Sequence, residues 1–285
     1  MRIDLHAHST ASDGTDPPAR LVVAARDAGL DVVAITDHDT TAGWDEAVAA
    51  LPAGLTLVPG AELSCMVAGP DGRRTSLHLL AYLFDPGHPG LAAERDRLRR
   101  NRRDRGRRIV ERMVADGLPL TWPRVDELAA GGSVGRPHIA RALIEAGLAT
   151  SVADAFDRFL RNGGPYHLPK EDMEALTAVR LVRAAGGVPV FAHPLARRRG
   201  RVVGDEVIEA MAASGLAGLE VDHPDHDRAD RDHLRGIAAA LDLLVTGASD
   251  YHGANKSVGL GARGTAPEVY RDLVAQARGS APVTG

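Results

Sequence analysis

Short apolar runs recur along the first part of the chain, separated by longer stretches in which apolar positions fall at helical spacing. Ile3 and Leu5 alternate with polar neighbours, as in a strand with one buried face. Val32-Val-Ala-Ile35 has no polar position and reads as a buried parallel strand. Runs over 55–58 and 77–84 predict a third and a fourth strand. Between these, Pro17 and Pro18 open a helix that stops near Ala28 at Gly29, and Thr40 or Thr41 is placed to cap a second helix ending before Pro52. Strand and helix in alternation predict a parallel sheet or barrel.

The alternation then stops. Roughly a hundred residues separate Phe84 from the next convincing strand at 188–191, whereas a βαβ unit needs roughly thirty. Helical patterns over 90–116, 123–130, 137–145 and 152–160 fill the gap. Residues 87–166 are therefore expected to form a helical insertion between the first part of the barrel, 1–86, and its second part, 167–285. Beyond it, strands at 188–191, 218–221 and 243–246 alternate with helices over 171–185, 205–214, one ending near 241, and 267–278. No repeat or low-complexity linker intervenes, so the predicted fold is α/β, with seven strands in one sheet.

Composition narrows the class. The 285 residues are 44% apolar and 25% charged, ordinary for a soluble globular protein. A net charge of -4 argues against a protein that coats nucleic acid. Cys65 is the only cysteine, so an internal disulfide is excluded and a cytoplasmic location is expected. Neither a signal peptide nor a membrane-spanning segment is expected from the sequence. The predicted helix over 90–116 carries arginine from Arg95 to Arg108 at too many positions for one face. It reads either as a solvated helix, with Glu94, Asp96 and Asp104 interleaved, or as a lure for an anionic substrate.

The candidate chemistry lies where strands end. His6 and His8 leave the first strand two residues apart, on one side, and Asp13 in the following turn can fold back over them. His38 follows the second strand and Glu62 the third; His193 and His223 follow the next two, and Asp250 with His252 the last. His78 is the exception, near the beginning of its strand, so that either the strand starts later or the chain bends to turn His78 inward. The C-terminal rim of a parallel barrel is where active sites form. Imidazoles and carboxylates in this number exceed one tetrahedral site and suit two or three divalent ions, manganese, iron or zinc, among which the donor set does not select.

The motifs His6-Ala-His8, Thr36-Asp-His-Asp39, Gly60-Ala-Glu62, His78, Ala192-His-Pro194 and Ser249-Asp-Tyr-His252 resemble, in order, those of the PHP family, the polymerase and histidinol phosphatase superfamily. The resemblance implies a distorted seven-stranded (βα) barrel with metals at its C-terminal rim. Asp4-Leu-His-Ala-His-Ser-Thr-Ala-Ser-Asp-Gly14, Gly135-Arg-Pro-His-Ile-Ala140 and Glu220-Val-Asp-His-Pro-Asp-His226 are most similar to the branch of 3',5'-nucleotide bisphosphate phosphatases and 5'-to-3' exoribonucleases. Position by position, the resemblance implies that His6, His8, Glu62 and Asp250 hold one metal. It gives Asp13, His38 and His252 to a second and Glu62, His78 and His193 to a third, with Glu62 bridging. Other branches often have histidine where Asp13 stands, which would weaken one of these sites.

Further roles follow. Asp37 is expected to orient a ligand imidazole in preference to binding a metal directly, and Asp39 to assist the turn. Arg136, at a helix start, is placed for an anion, and the resemblance adds His138 as a second phosphate contact. At least one of Arg197, Arg198 and Arg199, with Arg197 the first choice, is expected to reach a phosphate from the His193 rim. His223 is read as a substrate contact or proton donor to the leaving oxygen, with a purely structural place as the alternative. His226 and His233 read as solvent-facing, and Cys65 as packing.

The expected activity is metal-dependent phosphoester hydrolysis by an activated hydroxide, on 3',5'-bisphosphonucleotides or at the 5' end of short oligoribonucleotides, with the insertion closing over the nucleoside. No membrane or obligate protein partner is implied. A histidinol-phosphate or other small-molecule phosphatase of the superfamily is the nearest rival. An amidohydrolase also opens with His-x-His, but it usually carries a bridging lysine after the fourth strand, and none stands here. A non-catalytic binding module is disfavoured by ligands intact at every motif.

Overall fold

The computed structural model describes residues 1–69 and 72–285. In its first part, β1 (Ile3–Asp4), α1 (Pro18–Asp27), β2 (Val32–Ile35), α2 (Trp44–Ala49) and β3 (Thr56–Ala68) alternate as predicted. β1, β2 and β3 pair in parallel. β3, however, does not end near Val58. It runs for 13 residues in all, to Ala68, and pairs antiparallel along its upper half with β4 (Arg74–Tyr82). β4 is also antiparallel to β6 (Val188–Ala192), after which β6, β7 (Gly218–Asp222) and β8 (Leu244–Gly247) run parallel again.

The expected all-parallel alternation is thus broken by one reversed strand. That reversal disposes of both readings of His78: β4 starts earlier, at Arg74, and because it runs the other way His78 pairs with Ala192, the last residue of β6, at the rim where its neighbours end. The sheet order is β1-β2-β3-β4-β6-β7-β8, and the two outer strands nearly close it into a barrel, through a parallel bridge between Ala7 and Tyr251. His8 N–H donates to Tyr251 O at 2.8 Å across this seam.

Strand periodicity decides what fills the barrel. Val32 and Ala34 of β2, Leu80 and Tyr82 of β4, and Val188, Val190 and Ala192 of β6 share one cluster with Ile3 and Leu5. The alternate residues face the helices: Val33 and Ile35 meet Leu21, Val22 and Ala25 of α1, while Leu79, Ala81 and Phe191 meet α7 (Ala175–Ala184). In α7 the buried positions Ala175, Ala178, Val179 and Val182 repeat at i, i+3, i+4 and i+7, the stripe that seats a helix on a sheet.

Several local expectations change. α2 is preceded by Gly43 without a side-chain cap, and Thr40 instead accepts from Ala42 N–H. The helix expected over 171–185 begins only at Ala175. Met173–Glu174 form β5, paired with Cys65–Met66, and Glu174 then caps α7 through Leu176 and Thr177 N–H.

Between β4 and β5 lie α3 (Pro89–Ala115), α4 (Trp122–Leu128), α5 (Arg136–Glu145) and α6 (Val152–Ala155). α3 is shared between two cores. Its Leu91 and Leu98 bury with the barrel's outer cluster, whereas Ile109, Val110 and Met113 bury with Val125, Ile139, Leu143 and Leu160 in a separate one. The loop before α5 docks on the loop after β1: Ser133 N–H donates to Ala11 O at 2.9 Å, and a Cβ on Gly132 would stand 2.5 Å from the same oxygen. α8 (Asp205–Ala213), α9 (Arg228–Ala240) and α10 (Pro267–Gln276) complete the helical layer, and β9 (Val283–Thr284) pairs with the start of β3.

Candidate metal centre

Glu62 stands in the middle of β3, where the strand turns from its parallel partner β2 to its antiparallel partner β4. Its Oε1 lies 2.8 Å from His78 Nδ1 and 2.9 Å from His193 Nε2. Its Oε2 lies 3.3 Å from His6 Nε2, 3.2 Å from His8 Nε2 and 3.1 Å from His38 Nδ1. Two more carboxylates complete the cluster. Asp13 reaches within 3.4 Å of His252, 3.6 Å of His8 and 3.7 Å of His38, and Asp250 Oδ1 lies 3.4 Å from each of His6, His8 and His252. Side chains from opposite ends of the sequence therefore converge on one mouth. Three of the residues that deliver them, Asp39, His193 and Asp250, have positive φ without being glycine, the kind of strained turn that functional sites retain.

The donor set fits divalent ions. His6 and His8 aim their Nε2 atoms at each other across 3.1 Å, and buried His38 Nδ1 and Asp250 Oδ1 have no hydrogen-bond partner. Such convergence of lone pairs in a buried space is costly unless a cation takes them up. Three groups have ligand atoms close enough to share an ion: His8, Asp13, His38 and His252; His6, His8 and Asp250; His38, Glu62 and His78. His8 and His38 each belong to two of these, so the geometry leaves their allocation shared where the resemblance implied one metal apiece.

Electrostatics agree with a cation-seeking cavity. Burial would raise Glu62, but His78, His38 and His6 hold its carboxyl well below the ordinary range. Burial likewise opposes ionisation of Asp13 and Asp250, and both remain well below it: His38 and His252 act on Asp13, Lys256 and Arg199 on Asp250. Burial pushes His193 down to about 3, with Arg199 adding to it, and His252 down to about 4, with Lys256 adding. His8 moves the other way, to about 9, because Asp250 and Glu62 outweigh its burial.

The remaining site residues divide. Asp37 touches no imidazole: it accepts from Ser9 N–H and Oγ and from Ser12 Oγ, and only Ser12, 3.3 Å from His8 Nδ1, relays it to a histidine. Asp39 does more than assist a turn, since it binds Ser64 N–H and Oγ and takes Arg102 Nε at 2.5 Å. His138 is occupied structurally: its Nδ1 accepts from Gly135 N–H at 3.0 Å, closing the first turn of α5. Arg136 donates to Leu160 O and Asn162 Oδ1 and covers the Phe156 ring. Arg197 is turned away, pairing with Asp230, and it is Arg199 that reaches inward, 2.5 Å from Asp250 Oδ2 and 3.4 Å from His223 Nε2. His226, expected in solvent, is buried between Val221 O and Leu195 N–H, whereas His233 is exposed and pairs with Asp205. Cys65 is buried in the outer cluster.

Sequence reading missed Glu220 and Lys256. Glu220, buried at an inward position of β7, accepts from His6 Nδ1 at 2.8 Å through Oε1 and from His193 N–H through Oε2, and so orients two members of the cluster. Its signal was an acid in the interior of the strand Gly218-Leu-Glu-Val-Asp222, opposite in parity to Leu219 and Val221, which face the helices. Lys256 Nζ lies 2.6 Å from Asp250 Oδ2; no pattern in the sequence marked it.

Comparison with known proteins places the site in context. The PHP domain family matches residues 4–103. A 5'-3' exoribonuclease of Haemophilus influenzae is 34% identical over 253 residues, 88% of this chain and 90% of the relative. A 3',5'-nucleoside bisphosphate phosphatase of Chromobacterium violaceum is 30% identical over 257 residues, covering 88% and 87%. Among solved structures, a protein from Bifidobacterium adolescentis assigned as a metal-dependent phosphoesterase superposes with a TM-score of 0.90 at 38% identity, over 96% of both chains.

Proposed function

The chain belongs to the PHP family, and from that premise we propose that this metal-dependent phosphoric ester hydrolase acts on small nucleotides carrying phosphate at both the 3' and 5' positions, or on the 5' end of short oligoribonucleotides. The observation that carries the reading is the convergence of His6, His8, His38, His78 and His193 on the single carboxylate of Glu62. His6, His8, Asp13, His38, Glu62, His78, His193, Asp250 and His252 would hold two or three divalent ions, manganese being our first choice. Such ions polarise phosphoryl oxygens, lower the pKa of a water and neutralise charge as the ester bond breaks.

The chain's own residues supply the rest. Glu220 fixes the His6 ring by accepting from Nδ1, leaving Nε2 as the free lone pair directed into the cluster. His223 Nδ1 accepts from Asp225 N–H at 3.0 Å, so in the neutral ring the proton sits on Nε2, which faces Asp250. We assign to that Nε2 proton the transfer to the departing oxygen. Arg199 binds a non-reacting phosphoryl oxygen from the same side. Residues 87–166 serve as a cap over the nucleoside, seated by the close approach of Gly132 to Ala11.

The test is direct. Manganese-loaded protein is offered adenosine 3',5'-bisphosphate and a short 5'-phosphorylated RNA; phosphate or mononucleotide should be released from at least one. Release from neither overturns the reading.

A further inference from the structure

One asparagine side chain reaches from the helical insertion to the turn that carries Arg199, although it belongs to neither hydrophobic core. Asn162 stands in Arg161-Asn-Gly-Gly164, directly past the π-helical residues Phe156–Leu160. Gly164 N–H closes this turn on Arg161 O at 3.1 Å, and Gly163 has a φ of 71°, the positive value that the third position of a type II turn requires. Asn162 is thereby held at an exposed corner.

The two halves of its amide engage opposite kinds of partner. Oδ1 accepts from Arg136 Nη1 at 2.9 Å, and Nδ2 donates to Arg199 O at 2.9 Å. A guanidinium only donates and a carbonyl only accepts, so the amide has one orientation and both halves are used. Aspartate would keep the acceptor and lose the donor.

Each partner is fixed on its own side. Arg136 is part of the insertion, donating to Leu160 O at 2.7 Å and covering the Phe156 ring. Arg199 ends the 3-10 turn Arg197–Arg199, and its guanidinium lies 2.8 Å from Asp225 Oδ2 and 2.5 Å from Asp250 Oδ2. The next residue, Gly200, has a φ of 141°, and a Cβ there would stand 3.0 Å from Asn162 Nδ2. Glycine at this point lets the amide close on the backbone. The turn is exposed from Arg197 to Arg201, so a grip on its main chain sets where the Arg199 side chain can go.

We propose that Asn162 is a positioning residue that acts through Arg199. Its amide ties the insertion to the Arg197–Gly200 turn, so that the closure which covers the nucleoside also sets the Arg199 guanidinium against the phosphoryl group. The inference rests on the phosphoesterase reading above and deepens it by joining the cap to the group that binds phosphate.

The experiment compares manganese-loaded wild type with Asn162→Ala and Asn162→Asp, whose melting temperatures confirm the fold. Brief digestion with trypsin, the fragments identified by mass, should cut between 197 and 201 about fivefold faster in both variants and elsewhere at wild-type rates. On whichever of adenosine 3',5'-bisphosphate and a short 5'-phosphorylated RNA the wild type hydrolyses faster, each variant should lower kcat about fivefold. Aspartate, which sets a charge against Arg199 O, should cost at least as much as alanine. In an Arg199→Gln background, measured with enzyme in excess, the same changes should lower the rate less than about twofold, because the group they position is gone. Unchanged cleavage of the turn, a rise in KM with kcat unaltered, or an equal loss with and without Arg199 would each overturn the proposal. If wild type hydrolyses neither substrate while cleavage of the turn still responds, the hydrolase reading falls and the tie between insertion and turn stands.

Discussion

Glu220 illustrates how one buried side chain can set the acid response of a whole site. Burial opposes its ionisation, yet His6 holds its carboxyl down from 4.5 to about 2. A depressed carboxylate contributes stability that is complete above its unfolded value and lost as pH falls through the folded one, here between 4.5 and about 2. Glu220→Gln in metal-stripped protein should therefore cost roughly 3 kcal/mol at pH 7. That difference from wild type should shrink as urea unfolding is repeated at pH 4 and pH 3; a difference independent of pH would show that Glu220 acts through packing alone. Residue chemistry also set how much could be read beforehand. Histidines at strand ends declare themselves, because an apolar strand has no other use for them there. Arg197, Arg198 and Arg199 are chemically identical neighbours, and only the 3-10 turn they form decides that Arg199 faces Asp250.

At the scale of elements, the long β3-β4 pair was the least legible part of the fold. The strands themselves were visible, but the helix-strand rhythm around them suggested one direction for all. Gly69-Pro-Asp-Gly72 between them is turn chemistry and was the available signal for a hairpin. The same pair gives β3 a second half, Cys65–Ala68, which rises beyond Glu62 and offers an edge to β5. The contact between the loop before α5 and the loop after β1 yields a prediction at this scale. A side chain at Gly132 must displace the Ala11 carbonyl or lift the helical segment away from Asp13. Gly132→Val should raise KM for a nucleotide substrate tenfold or more while manganese binding by calorimetry stays within a few-fold of wild type. Unchanged KM would show that the seating of 87–166 does not matter to the substrate.

For the molecule as a whole, the metal centre is also a clasp, because its ligands come from both sides of the β1-β8 seam. A ligand that binds only the folded state at a hundred times its dissociation constant adds about 2.7 kcal/mol. For a chain of this size that is roughly 4 to 5 °C in melting temperature. Manganese should raise the thermal midpoint of chelator-treated protein by this order, and His8→Ala should abolish most of the rise; an equal rise in the variant would place the stabilising ion elsewhere. No helix among the described residues is long and apolar enough to cross a membrane.

The seam between Ala7 and Tyr251 has a temporal side as well. During synthesis His6 and His8 leave the ribosome while the strand that must lie against them is still untranslated. At about 5 to 20 residues per second the wait is roughly 10 to 50 s. Throughout that interval the nascent chain carries an open-sided half-cluster of histidines, so the order of manufacture makes early capture of a wrong ion a hazard that only the arrival of β8 can close.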